Sequence, residues 1–547
     1  MNTRVKIDMT APDRWVDMSG VPADPAVAER CRVSLIQAAL TDLGAAKVVS
    51  ASVNRTGGFQ PPKPPWMMAL DASMAGLTAS QLPEVTGLPD FCDVRVEYTG
   101  AGGRVAEIAV WVPLAWNGRL GIANGWLPLW GDLPFSRPLT MPAALRNGFV
   151  TATTDSGNRD PRLFGWAFDE TTGDLDHDFI RSWGYSAVHD MVVVAKAVTR
   201  ALHGSPPEYS YMAATSLGGK QVLETAQRYP EDFDGFWAID PGVSWTKAIP
   251  AGMWPALVMK EYDTILPPAK LEAFRAGAVA ACDGADGLDD GFLGAFEDCL
   301  FEPRILIGES TEAGEITERD AEVMTLIWDG PRRHDGERLW FGIRPGVDFW
   351  SGYGLAMSPD FPGQLVPELS VDHFRWVTGD QKFDWRTLTF QSFEELFDRG
   401  VREWADIATD NPDLTRLRDR GAKLVISHSG DDGALPAEAS VDYYQRVAGI
   451  VGGVDKAADF ARLFVADGDI HSFSLGRGPG LTLAAGMAAL MEWVENDNPP
   501  ELLVAERRDP ATGVVQATRP VHRYPTVTLY RGDGDPNDAD SYVGAQP

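Results

Sequence analysis

Residues 209–230, YSYMAATSLGGKQVLETAQRYP, constrain this chain more than any other stretch. A short apolar run stops at a cluster of small residues around Ser216, and a helical pattern follows at once. A serine on such a sharp strand-to-helix turn projects its hydroxyl while its neighbours crowd the backbone, so the residues two before and two after must be small. Here they are Ala214 and Gly218, with Gly219 next; the pattern reads AxSxG where GxSxG is usual, a difference of one methyl. The helix that starts there points free N–H groups at the turn, and the amide of Leu217 is placed to stabilise an oxyanion. A serine beside two glycines is also an ordinary turn or helix cap, so the chemistry depends on partners elsewhere in the chain.

An activated serine needs a general base and a group that orients it. On a strand-helix scaffold the chain order is Ser, then Asp or Glu, then His. KLVISHSGDDGALP reads as a strand from Lys423 to about His428, opening into an acidic loop with Asp431 and Asp432. ARLFVADGDIHSFSLGRGPG reads as another strand, Arg462 to Val465, followed by a loop carrying His471. With only 8 histidines in the chain, one in a loop after an apolar strand stands out, although a loop histidine is more often a solvated surface group. His189, near the start of the amphipathic pattern GYSAVHDMVVVAKAV, reads as structural.

Strand patterns near VRVEYT, AEIAVWVP, RLGIAN, FVTATT, YSYMAAT and DGFWAID alternate with helical ones from about Val94 to Asp240. That alternation implies an α/β fold with a doubly wound, mostly parallel sheet. The next convincing strand is KLVISHS, so residues 244–420 read as an inserted lid on the edge where catalytic loops emerge. The catalytic domain is then split in two parts, 1–243 and 421–547, while the N-terminus and the C-terminal tail read as polar and loop-like. The insertion carries Trp254, Trp328, Trp340, Phe349, Trp350, Tyr353, Phe374, Trp376, Trp385 and Trp404. Most should form its own core and two or three should face the serine, a wall suited to a planar aromatic acyl group. A formal net charge of -30 opposes binding to a phosphate backbone and argues against a nucleic-acid partner. No apolar run reaches the roughly 18 residues of a membrane span.

WNGRLGIANGW, WGYSAVHDMVVVAKAV, the 209–230 segment, CDGADGLDDGF, SHSGDDGALP with VDYYQRV, GDIHSFSLGRGPG and the tail TRPVHRYPTVTLYRGDGDPNDADSY together resemble the tannase and feruloyl esterase family of α/β-hydrolases. The resemblance spans nearly the whole chain from about Cys31. It implies Ser216 as nucleophile, His471 as base and Asp432 as acid, with Asp431 a competitor for the last role and Asp240 a weaker one. The family usually has a cysteine directly before the serine and another directly after the histidine, joined as a disulfide; here those positions are Thr215 and Ser472. A second family pair near the C-terminus is replaced by His522 and, by alignment of SYVGA, Gly544. Both halves of each pair are lost together, as a covalent bond requires, and a Thr215–Ser472 contact could stand in its place.

The four cysteines present read as two pairs, Cys31 with Cys92 and Cys282 with Cys299. The second pair brackets DGADGLDDGF, a loop dense in carboxylate and glycine that suits calcium rather than zinc, or is simply a solvated acidic turn. The resemblance implies a structural calcium held by the side chains of Asp283, Asp286 and Asp290 and the carbonyls of Leu288 and Phe292. The chain starts at Met1 without a basic and apolar leader, which together with the reduced cysteine set favours the cytoplasm, whereas the resemblance implies export.

The expected chemistry is acyl transfer in two halves on a small aromatic ester, with Leu217 and Gly125 of IANGWLPLWG donating to the oxyanion. Trp126 and Leu127 add bulk there and imply a reshaped pocket. A transferase that delivers the acyl group to another alcohol or amine, a lactone-opening enzyme, and a silent binding protein with altered Ala214, Thr215 and Ser472 are the competing readings.

Overall fold

The computed structural model describes residues 7–11, 14–60, 84–100, 103–123, 137, 140–158, 167–169, 171–294, 299–347, 368–471, 476–509 and 511–546. The central strands are β1 (Ala46–Asn54), β2 (Phe91–Thr99), β3 (Val105–Pro113), β4 (Arg119–Ala123), β5 (Thr151–Thr154), β6 (Tyr209–Thr215), β7 (Gly235–Ile239), β8 (Lys423–Ser429) and β9 (Ala461–Ala466). Strands β1-β2-β3-β5 form an antiparallel ribbon, and β4-β6-β7-β8-β9 a parallel one. The two join where Leu120 bridges Val150 in parallel, with the Gly121 amide donating to the Val150 carbonyl at 2.8 Å. The result is one twisted sheet, parallel only in its second half.

Every residue of β7 and β9 is buried, as are all but the first of β6 and β8, because helices cover both faces. Side chains alternate between two cores with the period of a strand. Met212, Ala214, Phe236, Ala238, Leu424 and Ile426 point into the first, with helices α1 (Ala187–His203), α2 (Leu217–Arg228) and α3 (Ala437–Val451). Tyr211, Ala213, Trp237, Ile239 and Val425 point into the second, with α4 (Leu483–Asn496) and Trp15.

The two ends of the chain depart from the loop-like reading. The stretch AKVVSASVN is β1, pairing with β2 along its length, and the tail forms the antiparallel pairs Leu502–Arg508 with Val515–His522 and Val527–Tyr530 with Tyr542–Ala545. Edge and ribbon strands are half-exposed, so their polar outer faces hide the pattern that a buried strand displays. Gly544 lies directly under the His522 ring, since a Cβ there would meet the imidazole at 2.9 Å. The two positions that hold a family cysteine pair are therefore neighbours, and the imidazole fills the space between them.

Between β7 and β8 the chain is helical, including Trp245–Ala251, Trp254–Glu261, Pro268–Cys282, Glu318–Asp329, Glu368–Thr378 and Phe390–Glu403. Trp254 packs on Phe390 and Phe393, Phe374 on Phe383 and Phe393, and Trp328 on Phe274 and Phe301. These rings are the segment's own core; Phe349, Trp350 and Tyr353 lie outside the described residues.

Cys31 is bonded to Cys92 and Cys282 to Cys299, so all four cysteines are disulfides. This corrects the cytoplasmic expectation, because glutathione and thioredoxin keep cytosolic thiols reduced and structural disulfides persist in oxidising compartments. Among the described residues no helix is long and apolar enough to cross a membrane.

Candidate active site

Ser216 stands between β6 and α2 with φ 59° and ψ −120°, a conformation that L-residues avoid. Its amide donates to the Ile239 carbonyl at 2.9 Å, and its carbonyl accepts from the amides of Lys220 at 2.9 Å and Gly242 at 3.3 Å. Gly219 permits this: a Cβ there would lie 2.6 Å from the Ile239 oxygen and 2.9 Å from the Pro241 Cα. The first turn of α2 is also anchored by Lys220, a buried side chain whose Nζ donates to the Gly184 carbonyl at 2.9 Å. Leu217 is the first helical residue, so its N–H has no intrahelical acceptor and faces the serine end of the helix. Gly125, the expected second donor, lies outside the described residues, as do Trp126 and Leu127.

His471 and Asp432 come from loops after β9 and β8 and meet below the surface. His471 Nδ1 lies 2.6 Å from Asp432 Oδ2, and both residues are buried. Asp432 Oδ1 accepts from the amides of Ala434 at 2.8 Å and Leu435 at 2.9 Å. Burial pushes the Asp432 carboxyl up, but the His471 and His428 imidazoles outweigh it and hold the group far below the usual carboxylate range. Burial likewise pushes His471 down, and Asp432 outweighs it, raising the imidazole from 6.5 to about 8. With Nδ1–H turned toward a carboxylate, the lone pair sits on Nε2, the arrangement a general base requires.

The other acidic candidates are placed elsewhere. Asp431 donates its amide to the Asp469 carbonyl at 2.9 Å, and burial pushes its carboxyl up to about 7 against the pull of Arg344. Asp240 accepts from the Ser429 amide at 2.7 Å. Asp240, His428 and Asp432 bring ligand-type atoms within 4.8 Å of one another, but each is held by protein donors or acceptors and the group is a hydrogen-bond network. Thr215 Oγ1 is buried and has no hydrogen-bond partner among the described residues; Ser472, its expected partner, lies outside them. His189 pairs with Asp232 at 2.8 Å and stacks on Tyr229, away from this network.

Sequence reasoning missed three residues here. His428, the penultimate residue of β8, touches Asp432, yet as a strand residue in an apolar run it reads as core. Trp183 and Trp245 pack with Leu217, Trp376 and Trp404 in one cluster, with Trp183 edge-on to both Trp245 and Trp376. Their bracketing positions, one before α1 and one after β7, gave no hint of convergence; the only available signal was tryptophan in segments flanking the elbow.

The acidic loop is closed by the Cys282–Cys299 bond. Asp283 accepts from the amides of Asp290 at 3.3 Å and Gly291 at 2.8 Å, and Asp286 from that of Leu288 at 3.0 Å. Asp290 Oδ2 pairs with Arg519, while Asp290 Oδ1 is buried without a hydrogen-bond partner among the described residues. Burial, reinforced by Asp286 and Asp283, pushes Asp290 up to about 6. The loop is remote from His471 in sequence but not in space. Phe292 lies against Gly468, where a Cβ would meet the ring at 2.6 Å, and the Arg519 guanidinium lies over the same ring, 4.9 Å from its centroid.

Residues 92–545 match the family model described as tannase and feruloyl esterase. The chain belongs to this family. A probable feruloyl esterase of Arthroderma benhamiae is 34% identical over 84% of this chain and 86% of that protein. A mono(2-hydroxyethyl) terephthalate hydrolase of Piscinibacter sakaiensis is 26% identical over 87% of each chain. A solved tannin acyl hydrolase from Aspergillus niger superposes with a TM-score of 0.77 at 20% identity, covering 96% of this chain and 97% of that one. The fold is therefore that of the α/β-hydrolases in this family, and the protein is a carboxylic ester hydrolase.

Proposed function

We propose that this tannase and feruloyl esterase family member hydrolyses esters of phenolic or other aromatic acids through an acyl-enzyme on Ser216. The observation that carries the reading is the joint geometry of a serine at φ 59° on a strand-to-helix turn and a buried His471–Asp432 pair at 2.6 Å. His471 Nε2 takes the proton as Ser216 Oγ attacks the ester carbonyl, and returns it to the departing alcohol. Water then attacks the acyl-enzyme with the same base. Asp432 holds the imidazole tautomer and stabilises its charged form. The Leu217 amide is one oxyanion donor, and Gly125 is proposed as the second. Residues 244–420 act as the lid, and the indoles of Trp183, Trp245, Trp376 and Trp404 around Leu217 favour a planar acyl group. The printed names of the relatives, feruloyl esterase and tannase among them, point the same way.

The acidic loop suits the calcium that the resemblance implies. Asp290 Oδ1 is a buried oxygen with no donor among the described residues, and Arg519 is a cation that faces Asp290 and Asp286. Asp283, Asp286 and Asp290, with the carbonyls of Leu288 and Phe292, would hold the ion, which would supply positive charge to a crowded set of carboxylates.

The test is covalent and catalytic together. A fluorophosphonate probe should label the protein and fail on Ser216→Ala, while initial rates across methyl ferulate, methyl gallate, chlorogenate and a monoaryl terephthalate ester should exceed that on an aliphatic ester of equal size. Labelling that survives the substitution, or preference for the aliphatic ester, refutes the proposal.

A further inference from the structure

His428 is buried at the end of β8, four residues before Asp432, and both its ring nitrogens are engaged. Nε2 lies 2.8 Å from the Leu435 carbonyl, which can only accept, so Nε2 carries the proton. The same nitrogen lies 3.2 Å from Asp432 Oδ2, the oxygen that faces His471. Nδ1 lies 2.7 Å from Ser440 Oγ on α3, which fixes the plane of the ring. The imidazole thus bridges the start and end of the turn that presents Asp432.

We propose that His428 is a positioning residue for ester hydrolysis: it locks the Asp432 carboxylate in place and divides the charge on Oδ2 between itself and His471. Asp432 Oδ1 then accepts from two amides while Oδ2 faces two imidazoles, His471 Nδ1 at 2.6 Å and His428 Nε2 at 3.2 Å, so the carboxylate cannot turn about its own Cβ–Cγ bond without losing several contacts at once. A histidine serving only to satisfy the loop would need the Leu435 carbonyl and the Ser440 hydroxyl. Contact with the shared oxygen adds an effect on chemistry. Asp432 and Asp240 are the charged groups facing His428; Asp432, Asp240 and Asp469 face His471. With the His428 donor removed, the charge of Oδ2 falls on the His471 Nδ1–H alone, and the proton affinity of that imidazole rises.

This inference rests on the proposed roles of Ser216, His471 and Asp432, so the experiment separates the two. Hydrolysis of p-nitrophenyl acetate and the rate of fluorophosphonate labelling would be followed against pH for the full chain and for His428→Phe, His428→Gln, Ser440→Ala and Asp432→Asn. Asp432→Asn should lower kcat on the order of 10³- to 10⁴-fold; full activity there refutes the assigned roles themselves. His428→Phe should lower kcat about ten- to a hundredfold, the rate equivalent of one charge-assisted hydrogen bond, with KM little changed. Its acid limb should move to higher pH, and His428→Gln, which keeps an N–H donor, should restore much of the loss. A folded His428→Phe with unchanged kcat, or with reduced kcat but an unmoved acid limb, overturns the positioning role. If His428→Phe does not fold, Ser440→Ala decides: an upward shift of the acid limb supports the role, and an unmoved limb overturns it.

Discussion

Ser216 occupies a backbone conformation that costs of order 1–3 kcal/mol, and the bonds to Ile239, Lys220 and Gly242 hold it there. That placement was legible from the small residues around it. The competition between Asp431 and Asp432 was not, because adjacent carboxylates differ only in which way the loop turns them. Asp432 faces His471, and Asp431 is buried elsewhere with its carboxyl pushed up to about 7. The His471 shift fixes a pH dependence. With His471 as the proposed base, which must be neutral to act, kcat/KM should rise through an apparent pKa of about 8. For stability the sign is opposite. A histidine raised from 6.5 to about 8 on folding stabilises the fold fully below about 6.5, and that contribution is lost as pH rises through about 8. A pH–rate profile with its acid limb at or below 6.5 would contradict the Asp432–His471 coupling.

At the scale of elements, the strands that lead into the proposed site announce themselves because they are buried on both faces. Strand β1 and the C-terminal pairs do not, because half their side chains face water. The acidic loop shows a different gap: its sequence raised a calcium expectation but gave no sign of its neighbour. Phe292 touches both Gly468 and Arg519, so the loop bears directly on the segment that leads to His471. If calcium is held there, chelation should lower the Tm and re-addition restore it, with the ion contributing about 2.7 kcal/mol at a hundredfold excess over Kd. The Tm of Asp290→Asn should respond less to chelation than that of the wild type. A purified protein with no bound calcium by elemental analysis, and a Tm indifferent to chelator, would refute the proposal.

For the whole molecule, the net charge of -30 and the strand-helix alternation already set out an acidic α/β protein, and the 92–545 match places it in its family. The expectation of a reducing compartment failed, because it was drawn from how the chain starts and from the two family cysteine pairs replaced here rather than from the two pairs present. Non-reducing denaturation should reveal no free thiol, and reduction all four, with a loss of about 2–4 kcal/mol per bond; four titratable thiols without reductant would contradict this. The sequence alone determined what depends on local pattern: the elbow around Ser216, the order of serine, acid and histidine, and the buried strands. Tertiary structure decided what depends on direction in space: which of two adjacent aspartates meets His471, that His428 shares its oxygen, and that the tryptophans of four segments converge beside Leu217. Periodicity reports which face a residue occupies, but a contact between distant segments depends on how the sheet twists and its loops turn.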